Sequence, residues 1–201
     1  MVKMLSGIRA VARQMLADEL VSSDTEYAWT DDELDLYIDD CLAEIAEYKP
    51  YQVKETLTTT ADSRELDLSE IDDLVEVKKV EYPVDEQPRS FRNFSVWGNT
   101  LRMELDSAPG SGESVYIYCA KYHTLSDTVS TLNPTLERIL VLGVSGRAAV
   151  AKARTQINAV NKGGASAAAN MQNWGLAQLA LYRGGLNSLI IPEMNEEYPT
   201  E

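Results

Sequence analysis

The spacing of apolar positions changes period twice along the chain. Met4, Ile8, Val11, Ala12, Met15 and Leu16 recur at helical spacing and predict a helix over 3–20, with Arg9 and Arg13 facing away. After a polar stretch, Thr30-x-x-Glu33 forms a capping box, and Asp31, Asp32 and Glu33 suit the positive end of a helix dipole. The helix it opens has the seam Leu34, Tyr37, Ile38, Cys41, Ile45 and Tyr48, and Pro50 stops it. The period then falls to two. Val53–Thr60 is β-branched and alternating, Ala61-Asp62-Ser63 is turn chemistry, and 64–68 returns as a hairpin.

Leu74–Tyr82 alternates but slips phase, which predicts a bulge near Lys78-Lys79. Phe91–Trp97 and Thr100–Asp106 flank Gly98-Asn99, a two-residue hairpin turn. Glu113–His123 is the longest strand, with Val115, Ile117 and Cys119 on one face and Tyr116, Tyr118 and Tyr122 on the other. Both faces are apolar enough to be covered. The tyrosine stripe reads either as core against another layer or as a binding face.

Helical spacing returns at Pro134, a proline suited to a first turn. Leu136–Val144 is apolar nearly all round, and Gly143, Gly146, Ala148, Ala149 and Ala151 permit close approach by a neighbour. Asn161–Gly164 breaks this helix. A last one over about 165–183 ends at Gly184-Gly185, and Leu189, Ile190, Ile191 and Pro192 form an apolar knot in the segment beyond. The predicted fold class is α+β. A bundle of about four helices is formed by 1–52 and 133–186, an antiparallel β-domain (53–132) is inserted between helices 2 and 3, and 187–201 is an extended C-terminal tail.

Charge sharpens this picture. The 201 residues carry 18 Lys+Arg against 32 Asp+Glu, a formal net charge of −14, which argues against nucleic acid as an affinity target. From Asp18 to Glu86 there are 23 acids against 5 bases, whereas from Pro134 to Pro192 Glu137 is the only acid. The acids Asp35, Asp39, Asp40, Glu44 and Glu47 make one acidic helix face, and Arg147, Lys152 and Arg154 lie on the basic helices. Such patches read as solvated faces, or as surfaces that meet head to tail on neighbouring copies. No apolar run reaches membrane-spanning length and the N-terminus lacks the pattern of a secretory signal, so a soluble intracellular protein is expected.

Catalytic material is sparse. With His123 the one histidine and Cys41 and Cys119 far apart in sequence, neither a zinc site nor a catalytic triad can be assembled, and both cysteines read as core thiols. Glu44-Ile-Ala-Glu47 followed by Glu70-Ile-Asp-Asp73 fits the ExxE…ExxD pattern by which all-α nucleotide pyrophosphohydrolases hold magnesium. That chemistry needs both pairs on adjacent helices, and here Pro50 and Thr58-Thr59-Thr60 put sheet between them. No active site and no cofactor are expected.

The stretches WTDDELDLYIDDCLAEIAEYKPY (Trp29–Tyr51) and VEYPVDEQPRSFRNFSVWGNTLRMELD (Val80–Asp106), with the Tyr-rich strand and LNPTLERILVLG after them, resemble the head–tail connector (adaptor) proteins of tailed bacteriophages. The likeness covers roughly Trp29–Ala153, and the last helix, Ala-rich with a single arginine, departs from it. The resemblance implies a virion protein, made in the host cytoplasm, that forms a ring, usually of twelve copies, under the capsid portal. It implies helices packed between copies, and the charge pattern then puts Arg147, Lys152 and Arg154 at the subunit interface, against a neighbour's acidic face. A C-terminal segment carrying Leu189, Ile190, Ile191, Pro192, Met194 and Tyr198 would embrace the portal protein. The β-domain would face the next neck or tail protein, and DNA would pass without being held. The alternatives are another phage structural module, such as a tail-completion or attachment protein, and a magnesium-dependent nucleotide pyrophosphohydrolase.

Overall fold

A computed structural model describes residues 2–18, 27–156 and 166–190. The chain divides into two compact units, 1–49 with 123–201 and 50–122. The fold is α+β, four helices with antiparallel sheets between the second and third.

The first unit holds α1 (Leu5–Met15), α2 (Asp31–Tyr48), α3 (Pro134–Gln156) and α4 (Ala167–Asn187). α2 starts where the sequence predicts. The Thr30 hydroxyl accepts from Glu33 N–H and the Glu33 carboxylate accepts from Thr30 N–H, which closes the capping box. Leu34, Ile38, Cys41 and Ile45 bury on the core with Leu136, Ile139, Leu140 and Val144 of α3. Pro134 takes the first turn of α3, and the Asn133 side chain accepts from Thr135 and Leu136 N–H. α3 packs closely on α2 and α4 at Gly143, where a Cβ would stand 2.7 Å from Cys41 Sγ of α2 and 2.9 Å from the Tyr182 ring of α4.

Two predictions fail in this unit. α1 is shorter than the predicted 3–20, and Arg13 does not face away: it is 7% exposed, while Arg9 is half-buried. Arg13 donates to Asp18 at 2.8 Å, to the Trp29 carbonyl and to Asp31, and its guanidinium lies 4.0 Å from the Tyr27 ring centroid. Asp18 in turn accepts from Ala28 and Trp29 N–H. A buried charge is tolerable when it is paired and bonded this completely. The second failure is the end of α4. Gly184-Gly185 does not stop the helix, which runs on to Asn187, because Leu186 is 1% exposed in the core and Gly185 lies where a Cβ would be 2.9 Å from Ile139. The glycine serves packing. The predicted break at Asn161–Gly164 lies outside the described residues.

The second unit has seven strands: β1 (Tyr51–Thr58), β2 (Glu65–Asp67), β3 (Leu74–Glu81), β4 (Phe91–Arg92), β5 (Phe94–Trp97), β6 (Thr100–Met103) and β7 (Ser114–Lys121). One sheet has the order β1-β7-β3-β4 and the other β2-β6-β5. Leu57, Val80, Val115, Ile117 and Cys119 of the first meet Leu66, Leu101 and Met103 of the second in one core. The hairpin at Gly98-Asn99 forms as predicted, with Trp97 opposite Thr100 and Gly98 at φ +57°. The β3 ladder shifts register between Val77 and Lys79, where the sequence slips phase, and again between Leu74 and Glu76.

The predicted β1–β2 hairpin does not form. β1 pairs along its whole length with β7, and β2 joins β6 in the other sheet, where the Arg64 carbonyl accepts from Met103 N–H and the Arg64 side chain donates to Leu105 and Asp106 carbonyls. The run Phe91–Trp97 is two strands, for the chain crosses between sheets at Asn93. β7, predicted as the longest strand over Glu113–His123, has eight residues like β1 and β3 and ends at Lys121.

Candidate docking surfaces

α2 turns its acids outward at intervals of about one turn, and arginines from two other helices meet them. Arg9 of α1 donates through Nε to Asp35 at 2.6 Å and through a terminal nitrogen to the other carboxylate oxygen, and this bonding raises its pKa. Arg147 of α3 pairs with Glu44 and, at 3.5 Å, with Asp40. Burial, helped by Asp35 and Asp40, raises the pKa of Asp39. Asp39 and Glu47 have no hydrogen-bond or ion-pair partner among the described residues. Three of the five acids of the predicted face are therefore paired within their own unit.

The three basic positions separate. Arg147 is engaged with α2; Lys152 Nζ donates to the Ala28 carbonyl at 2.5 Å and lies 5.5 Å from the Trp29 ring; Arg154 is exposed with no partner among the described residues. Of the predicted C-terminal anchors, Leu189 packs partly buried on the core of its own unit and Ile190 is exposed. Ile191, Pro192, Met194 and Tyr198 lie outside the described residues.

The tyrosine face of β7 is not covered by a further layer within its unit, which corrects the expectation that both faces are buried. Tyr116 and Tyr118 are half-buried and Tyr122 is exposed. Their neighbours are polar and aromatic. Tyr118 donates at 2.6 Å to Glu81, a carboxylate residue only 1% exposed, and the bond raises the Tyr118 pKa. Tyr116 donates to Asp85, Lys54 Nζ sits 3.6 Å from the Tyr116 ring centroid, and Phe91 meets Tyr118 edge-on at 5.9 Å. Tethered hydroxyls and a stacked lysine hold this surface rigid, the condition for an aromatic patch to bind without a large ordering cost.

Trp97, 90% exposed at the hairpin tip, was not singled out from the sequence. The signal is parity. Phe94 and Val96 share the face that packs toward Leu101 and Met103, so Trp97 falls with Ser95 on the outer face, a costly place for an indole without a partner.

The carboxylates of the ExxE…ExxD pattern do not share a helix pair. Glu44 and Glu47 are on α2, whereas Glu70 ends a 3-10 turn (Leu68–Glu70) and Asp73 lies in the turn before β3. Among the described residues no group of three or more His, Cys, Asp and Glu is placed to hold a metal ion. Cys41 and Cys119 are buried thiols, the former pushed up to about 11 by burial. His123 is buried, its Nε2 2.8 Å from the Lys49 carbonyl and its Nδ1 3.1 Å from Thr131 Oγ1. Among the described residues no helix is long and apolar enough to cross a membrane.

The sequence model of one protein family, described as SU10 adaptor protein, matches residues 5–189. No curated protein matches the chain. Two solved structures resemble it at 15% identity and a TM-score of 0.29. One is a neck of an empty GTA particle computed with C6 symmetry (82% of this chain, 87% of that one). The other is a neck of a native GTA particle computed with C12 symmetry (87% and 94%).

Proposed function

The chain belongs to the SU10 adaptor protein family, and from that membership we propose that it is a non-enzymatic virion protein, a head–tail connector that forms a homo-oligomeric ring between a capsid portal and the neck or tail. The observation that carries this reading is the extent of the family match, which spans the helical unit and the β-unit together.

The surfaces distribute the contacts. Of the three basic positions, Arg154, with no partner among the described residues, is the one offered to a neighbouring copy, since Arg147 and Lys152 are already engaged. The segment from Leu189 onward, with Ile191, Pro192, Met194 and Tyr198, docks on the portal protein. Trp97 and the tyrosine face meet the next neck or tail protein. Asp39 and Glu47 keep negative charge toward passing DNA, which such a channel must not hold.

The test is to mix the purified chain with portal-bearing, DNA-free capsids, sediment the particles and image the portal vertex. A ring of added density at that vertex is expected. No co-sedimentation at saturating protein would overturn the reading. So would magnesium-dependent nucleotide turnover that is lost in both Glu44→Ala and Glu70→Ala.

A further inference from the structure

The β-unit leaves one long sheet edge undefended. Natural sheets blunt their edges by shortness, bulges, prolines or charged side chains, outward or inward-pointing. The other edge strands here follow that rule. β4 has two residues, β2 three and β5 four, and β3, open beyond its short pairing with β4, shifts register twice. β1 does not. Its eight residues pair with β7 in unbroken register, with no bulge and no internal proline.

Its charges do not guard the edge either. Lys54 folds back over the Tyr116 ring, and Glu55 binds Lys121 at 3.1 Å, both on β7. The unused backbone groups can be identified. Thr59 N–H donates to the Glu113 carbonyl at 2.9 Å, which makes the odd-numbered residues the ones bonded to β7. The N–H and C=O of Gln52, Lys54, Thr56 and Thr58 therefore point to the open side, and all four residues are exposed. They take no backbone partner among the described residues.

The geometry points to this edge as a strand-accepting interface for a different polypeptide, an extended segment that adds antiparallel to β1. Cross-strand complementarity specifies its chemistry. Opposite Val53 and Leu57, on the core face, it carries apolar residues. Opposite Lys54 it carries an acid and opposite Glu55 a base. A second copy of this chain fits less well. A two-fold pairing that keeps both cores on one side has its two registers of greatest overlap centred on Lys54 or on Glu55, and each sets like charges directly opposite. The inference goes beyond the connector reading and does not depend on it.

The probe is the peptide Thr-Val-Thr-Lys-Glu-Val-Thr-Tyr, written to run opposite Thr58 through Tyr51, added to the full chain while amide hydrogen exchange is followed. Exchange should slow at Gln52, Lys54, Thr56 and Thr58. The charge-swapped peptide Thr-Val-Thr-Glu-Lys-Val-Thr-Tyr should bind about fivefold more weakly. Thr56→Pro removes an outward N–H and no bond to β7, so it should fold and lose the protection. Lys54→Glu should bind Thr-Val-Thr-Lys-Lys-Val-Thr-Tyr better than the unaltered chain does. Absence of protection at millimolar peptide, or protection indifferent to Thr56→Pro, would overturn the inference. Protection that rises with protein concentration alone would assign the edge to a second copy and overturn it equally.

Discussion

Gly146 and Gly175 face each other across α3 and α4 so closely that a Cβ on Gly146 would stand 3.0 Å from the Gly175 carbonyl oxygen, and one on Gly175 2.9 Å from that of Gly146. Each backbone occupies the space a side chain would need. α4, with two internal glycines besides Gly175, is thereby brought onto α3 by closeness of approach at this point.

Alanine at either position gains helix propensity of about 1 kcal/mol. It must also push a carbonyl, which cannot rotate away, at an overpacking cost of roughly 1–3 kcal/mol. Gly146→Ala and Gly175→Ala should therefore lower stability in urea unfolding. Gly184→Ala, with nothing within 4 Å of the new Cβ, should raise it by about 0.5–1 kcal/mol. A gain at all three positions would show that the helices separate freely.

Asp18 should be sensitive to substitution. Its side chain is 4% exposed and pairs with an Arg13 side chain that is also buried, while it accepts two backbone N–H groups. Removing it takes one of the two carboxylates from Arg13, which keeps Asp31, and strips the Ala28 and Trp29 N–H groups of their acceptor, a loss of roughly 1–3 kcal/mol. Denaturant titration of Asp18→Ala should show it. Arg154→Ala, at an exposed site, should stay within about 0.5 kcal/mol of the parent.

His123 gives the fold a pH dependence. Burial lowers its pKa below the ordinary value, so the unfolded chain binds the proton more readily. Its contribution is fully present above about pH 6.5 and is lost as pH falls through the depressed folded value. Thermal melts between about pH 7 and 5 should decline in the parent more steeply than in His123→Gln. Equal slopes would mean that the ring is protonated in the fold without penalty.

Trp97→Ala should leave the melting temperature nearly unchanged, because an exposed side chain contributes little to folding. The same change should weaken the binding of a downstream neck or tail protein by roughly 2 kcal/mol, about thirtyfold, if the indole is an anchor. Assembly of tail-competent particles in a complementation assay reads this out.

Truncation after Ile190 should leave circular dichroism and unfolding unchanged, since Leu186 and Leu189 remain in the core. The shortened chain should fail to dock on portal-bearing capsids. Occupancy equal to that of the full chain would remove Ile191, Pro192, Met194 and Tyr198 from the docking element. Cutting earlier, at 187, would confound the experiment by taking Leu189 out of the helical core.

What the sequence discloses is what neighbouring residues decide among themselves. The Thr30–Glu33 box, the Gly98-Asn99 turn and the phase slip in β3 are each written within a few positions, and each forms. The misreadings concern partners that lie far away. The turn at Ala61–Ser63 suggests that β1 folds back on β2, yet β7, some sixty residues on, competes for β1 over eight pairs against the three residues that β2 offers. Arg13 reads as a surface residue until Asp18, Trp29 and Asp31 converge on it. Gly185 reads as a helix stop because Ile139, against which it packs, is invisible to local pattern. The α2 surface divides the same way: the five acids of its predicted face are plain in the sequence, and the arginines that pair with three of them are not.

The insertion of residues 50–122 within the helical unit also sets an order of synthesis. α2 leaves the ribosome with Leu34, Ile38, Cys41 and Ile45 bare, because α3, which covers them, begins only at Pro134. At translation rates of about 5–20 residues per second the wait lasts several seconds. The β-unit, whose core draws only on its own strands, can be complete before then. During that interval the carboxylates along α2 act as a solubilising coat on a half-finished bundle. The guests thus fold before their host, and Arg147 reaches Asp40 and Glu44 only when the nascent chain no longer needs their full charge.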